Sequence, residues 1–86
     1  MPRINTRQLL GDTIREIREQ REMTQQQLAE ASGIHRVNVI GIEKGRLNPS
    51  AATLIAIARG LQILPSELFR RFNRRIMKAL AGEPQS

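Results

Sequence analysis

The segment Thr24-Gln25-Gln26-Gln27-Leu28-Ala29-Glu30-Ala31-Ser32-Gly33-Ile34-His35-Arg36-Val37-Asn38-Val39-Ile40-Gly41-Ile42-Glu43-Lys44-Gly45 decides the reading of this chain. Thr24 and Gln27 have the spacing of a capping box. Met23 before the cap and Leu28 at the fourth helical position have the spacing of a hydrophobic staple. A helix is therefore predicted to start after Thr24 and to stop at Ser32. Gly33 is suited to the left-handed position that ends it, with Ile34 packing back. A helix of about eight residues is not stable alone, so it must be docked on neighbours. A third helix, from Arg36 to about Lys44, follows after a turn of about three residues. Two short helices joined in this way have helix-turn-helix geometry. Ala29 lets them approach closely. Leu28, Ile34, Val39 and Ile42 form the wedge between them. The outward face of the third helix is expected to carry Arg36, Val37, Asn38, Gly41 and Lys44.

Outward from this pair, the remaining apolar residues also fall at helical spacing, and none alternates long enough for a strand. Thr6 is a candidate cap for a first helix that runs to about Arg21, with Leu10, Ile14 and Ile17 as its buried stripe. Gly45 ends the third helix, and Arg46-Leu47-Asn48-Pro49 follows as a loop. Ser50 caps a fourth helix, Ala51 to about Gly60, burying Leu54, Ile57, Ala58 and Leu61. Pro65 suits the first turn of a fifth, which reaches about Leu80 with Glu67 near its positive end. The expected fold is all-α: a five-helix bundle with an extended last helix, in a single domain. Residues 1–7 form an arm, 8–64 hold the first four helices, 65–80 the fifth and 81–86 a tail.

Composition narrows the partners. The chain has 86 residues and a net charge of +6; twelve of its fourteen cations are arginine. Such an excess points to a polyanion, nucleic acid first and an anionic membrane surface second. There is no cysteine, Trp or Tyr, and Phe69 and Phe72 are the only phenylalanines. Single-strand and RNA readers stack bases on exposed aromatics, and the only two aromatics here are both expected in the core. His35 has no second His and no Cys to share a metal with. No metal, cofactor or catalytic constellation is expected. The apolar run Leu54 to Leu64 is too short to span a bilayer, and Met1 to Arg7 does not read as a signal peptide. A soluble protein of a reducing compartment is expected.

The quoted segment, together with Asn48-Pro49-Ser50, resembles the phage-repressor type of helix-turn-helix (Cro/repressor, or XRE-type). The likeness runs from about Leu10 to Phe69 and includes Ile14-Arg15-Glu16-Ile17-Arg18 and Pro65-Ser66-Glu67-Leu68-Phe69. Gly33-Ile34-His35-Arg36, closing on Ile42-Glu43-Lys44-Gly45, is also similar to restriction–modification controllers. The resemblance implies a sequence-specific double-stranded DNA-binding transcription regulator, encoded by a bacterium, phage or plasmid and acting as a homodimer on a palindromic operator. It leaves repression or recruitment of polymerase open. An antitoxin that binds a toxin as well as its operator is the alternative.

By the same resemblance, Gln25 grips a phosphate and supports the reading helix, Arg36, Val37 and Asn38 meet base edges, and Lys44, Arg46, Asn48 and Ser50 track the backbone. Arg36 is equally suited to guanine or to phosphate, and Val37 to a thymine methyl. Glu43 pairs with Arg18 as a structural ion pair. His35, Gly41 and Gln62 depart from the family, which often has Ser or Thr, a polar reader and Gly there. Arg3 and Arg7 read either as a basic arm or as a frayed terminus. In the fifth helix Leu68, Phe69, Phe72, Ile76 and Leu80 line one stripe with Met77 beside it. Phe72, Ile76, Met77 and Leu80 extend past the compact domain and are the expected dimer seam.

Overall fold

The computed structural model describes residues 4–82. Arg3 and most of the tail lie outside them. Five α-helices follow in order: α1 Thr6–Gln20, α2 Gln25–Ser32, α3 Arg36–Glu43, α4 Ala51–Gly60 and α5 Pro65–Ala81. The described residues contain no strand. The fold is the all-α bundle expected.

The start of α1 differs from the sequence reading. Asn5 caps it, its side-chain oxygen accepting the Gln8 N–H at 3.1 Å. Thr6 is already helical, and so is Arg7, so the helix begins inside the segment read as an arm. Both residues are good caps, and the side chain whose oxygen reaches an orphan N–H takes the position. The capping box on α2 is complete: Thr24 Oγ1 accepts the Gln27 N–H at 3.0 Å, and Gln27 Oε1 accepts the Thr24 N–H at 2.8 Å. Ser50 caps α4 through the Thr53 N–H at 3.1 Å. α5 starts with Pro65 in its first turn and no side-chain cap.

The core is assembled from every helix. Leu10, Ile14 and Ile17 of α1 meet Leu28 and Ala29 of α2, Val39 and Ile42 of α3, Leu54, Ile57 and Ala58 of α4, Leu61, and Leu68 of α5. α2 lies on α4, and α1 lies on α3 and α5. Two glycines let backbones come close. A Cβ on Gly11 of α1 would strike the backbone carbonyl oxygens of Ile42 and Glu43 in α3. A Cβ on Gly60 of α4 would strike Ser32 Oγ at the end of α2. The first approach holds α3 hard against α1 and leaves its opposite face to solvent. Among the described residues no single helix is long and apolar enough to cross a membrane.

Candidate nucleic-acid interface

The turn between α2 and α3 is local chemistry. Gly33 takes φ +70°, where a residue with a side chain is strained. The Ile34 N–H then returns to the Ala29 carbonyl at 3.0 Å and the Gly33 N–H to Glu30 at 3.4 Å, the Schellman arrangement. Ile34 half-buries against the core as α3 starts. His35 is the first residue of that start, but its side chain makes no capping bond. α3 is thus held by its buried side, Val39 and Ile42, and by what grips Glu43.

Glu43 is the most buried charge on α3, at 3% exposure. Arg18 reaches it from α1 with two bonds: Nε to Oε2 at 2.7 Å and Nη2 to Oε1 at 3.0 Å. Arg18 Nη1 donates to the Met23 carbonyl at 2.7 Å, just before the α2 cap. Gln25 Nε2 adds a bond to Glu43 Oε1 at 3.2 Å. One carboxylate therefore ties the start of α2 and the end of α3 to α1. A carboxylate accepts only, so the Gln25 amide must face it nitrogen first. That leaves Gln25 one further N–H for an anion outside.

The solvent side of α3 presents Arg36, Val37, Asn38 and the exposed Lys44 just after it. Val37 is 76% exposed. Arg36 borders two shallow hollows, one with Thr24, Gln25 and Gln26 at the α2 start, the other with Gly33, Ile34 and His35 at the turn. The structure thus brings Gln25 and Arg36 to one surface. Arg46 and Asn48 are exposed on the loop beyond α3. Ser50 has a structural task too: its hydroxyl accepts the Thr53 N–H and donates to Thr53 Oγ1 at 3.0 Å. Gly41 is not part of the open face. It is half-buried because Leu47, from the loop, lies over it.

On α5 the apolar stripe splits. Leu68 is fully buried and Phe72 packs against the core, so Phe72 faces inward more than the expected seam requires. Phe69 at 45% and Met77 at 57% are exposed, and Ile76 and Leu80 are half-buried. Phe69 was left out of the expected seam. Its separation from Phe72, about 60° of helix turn on the far side from Leu68, is the signal that identifies it. The basic face of α5 is partly neutralised: Arg70 and Arg71 both bond Glu67, Arg75 bonds Glu16 of α1 at 3.0 Å, and Arg71 reaches Gln20 at 2.8 Å.

The architecture is that of a helix-turn-helix domain with α3 as its exposed helix. The sequence profile of the helix-turn-helix family matches residues 14–68, and the chain belongs to that family. It is 42% identical over 59 residues to the immunity repressor protein of Bacillus phage phi105, covering 69% of this chain and 41% of the phage protein. The chain thus spans less than half the length of that relative. It is 31% identical over 68 residues to the control protein C.SmaI of Serratia marcescens, covering 79% of this chain and 81% of that one. Among solved structures, the restriction-modification controller C.Esp1396I, crystallised as a tetramer with its natural 35 base-pair operator, superposes with a TM-score of 0.80. It is 28% identical, over 84% of this chain and 95% of that one.

Proposed function

We propose that this chain is a sequence-specific double-stranded DNA-binding regulator of transcription that acts as a homodimer on a palindromic operator, in the cytoplasm of a bacterium or from a phage or plasmid. One observation carries the reading: α3 is pinned from behind by Glu43 and offers Arg36, Val37 and Asn38 to solvent on a helix of major-groove dimensions. The named relatives, a phage repressor and a control protein, support the same reading, as does the operator-bound controller. In this mechanism Arg36, Val37 and Asn38 read base edges. Gln25, with the amide N–H left free by Glu43, holds a phosphate. Lys44, Arg46, Asn48 and the Ser50 region follow the backbone. The chain works by occupying DNA, not by turnover.

Selection of a random duplex pool by the purified protein tests the reading. Arg36→Ala is expected to relax preference at one position per half-site, at a cost of about 1–3 kcal/mol. Gln25→Ala is expected to weaken selected and random duplexes alike, because a phosphate carries no sequence. An Arg36→Ala protein that selects the wild-type site unchanged removes Arg36 from base reading.

A further inference from the structure

The loop after α3 is folded back onto the exposed helix. The Gly41 carbonyl accepts the Arg46 N–H at 2.9 Å and the Leu47 N–H at 3.3 Å. Gly45, at φ +73°, makes the reversal. A Cβ on Gly41 would lie 2.7 Å from Leu47 Cδ1 and 2.8 Å from Cγ, so the missing side chain is what seats Leu47 on α3. Leu47 is nonetheless 41% exposed and stands outside the core cluster. Val37 lies one helical turn before Gly41, hence on the same face. From Val37 to Leu47 the middle of this face therefore presents hydrocarbon, with the polar side chains Arg36, Asn38, Lys44 and Arg46 around it.

We propose that Leu47 is a specificity-determining residue, which with Val37 packs against the C5-methyl of a pyrimidine in the major groove. The proposal rests on the DNA-binding reading above. A C5-methyl is the apolar group on the major-groove edge of a base pair. Gly41 has no side chain and is covered by Leu47, so the face offers a base edge hydrocarbon rather than a polar group at that point. Thymine and 5-methylcytosine carry the same methyl at the same place, so both are candidate sources.

The test uses the operator selected by the full chain. Each thymine of a half-site is replaced in turn by uracil, which removes the methyl and keeps every hydrogen bond. Each cytosine is replaced in turn by 5-methylcytosine. At one position per half-site the wild-type protein is expected to change affinity about four-fold, the effect of burying one methyl group. A loss in the uracil series assigns thymine, and a gain in the other series assigns the methylated base. Leu47→Ala is expected to lose that discrimination, and Leu47→Met to keep it. Gly41→Ala, which pushes Leu47 off the helix while leaving it in the chain, is expected to lose it too. The proposal is overturned if no methyl substitution moves wild-type binding two-fold, or if Leu47→Ala discriminates as the wild type does. A chain that selects no sequence at all overturns the DNA reading, and this proposal with it.

Discussion

Arg18 and Glu43, 25 residues apart in sequence, meet through two parallel hydrogen bonds of 2.7 and 3.0 Å, with side-chain exposures of only 11% and 3%. The pair fastens α3 to α1 from behind, so it sets the angle at which the exposed helix stands. Burial makes it sensitive to the loss of one partner, because the remaining charge then has no adequate counterpart. Arg18→Met or Glu43→Gln alone is expected to cost about 3–5 kcal/mol of folding stability. The double variant should cost clearly less than the sum. Urea unfolding of the four proteins measures the coupling, and additive costs would show that the pair contributes none.

Much of this arrangement was legible in the chain because it is local. The capping box at Thr24 and Gln27 and the left-handed turn at Gly33 each depend on residues within about five positions, and both stand as read. What escaped depends on partners distant in sequence. Gly11 looks like a weak helix residue until the α3 carbonyls are placed against it. That Gln25 supports α3 is implied by the resemblance, but that it does so through Glu43 emerges only from the fold. Gly41 sits at an outward position of the helical wheel, but the loop covers it with Leu47. On α5 the helical wheel already sets Phe69 about 60° from Phe72, but only the packed core shows that Phe72 is the one turned inward.

Gln62 holds a left-handed backbone, φ +60°, in the turn between α4 and α5, and its side chain is exposed. A residue with a Cβ is strained there by about 1–2 kcal/mol, against a chain-entropy cost of about 0.5–1 kcal/mol for glycine. The bond that Arg21 Nη2 gives to this residue, 3.3 Å long, goes to its backbone carbonyl and survives substitution. Gln62→Gly is therefore expected to stabilise the fold by about 0.5 kcal/mol and raise Tm by about 2–4 °C. Calorimetry that finds Tm unchanged or lower would count against strain at this position.

Glu67 offers a pH test. The side-chain hydrogen bonds from Arg71, and then from Arg70, hold its carboxyl below the usual carboxylate value. A depressed folded value means that the contribution is fully present above the unfolded value and is lost as pH falls through the folded one. Glu67 should thus stay ionised to lower pH than an ordinary glutamate. Arg71→Ala should move its titration back toward that of an ordinary glutamate. Carboxyl chemical shifts followed by NMR from neutral to acid pH measure both. A Glu67 midpoint indifferent to Arg71→Ala would show that the bond contributes nothing in solution.

The last expectation concerns assembly through α5. One exposed helix covers too few base pairs for genomic selectivity, and a two-fold dimer places two of them about 34 Å apart in successive major grooves. Phe69 and Met77 are exposed, and Ile76 and Leu80 half-exposed, along the side of α5 turned from Leu68. Arg70 and Arg71 are held on Glu67, and Arg75 on Glu16, so these cations are drawn to the flank of that band. Association by the apolar band should be indifferent to salt or strengthened by it, whereas duplex binding should weaken steeply with salt. Ile76→Glu combined with Leu80→Glu is expected to give a folded monomer with poor operator binding. Phe72→Ala should behave differently, lowering Tm through lost core packing while the association constant changes less. Sedimentation equilibrium with a parallel thermal melt separates the two. If the Ile76→Glu, Leu80→Glu protein dimerises with wild-type strength, the seam lies elsewhere, with exposed Leu64 in the turn before α5 as the next residue to replace.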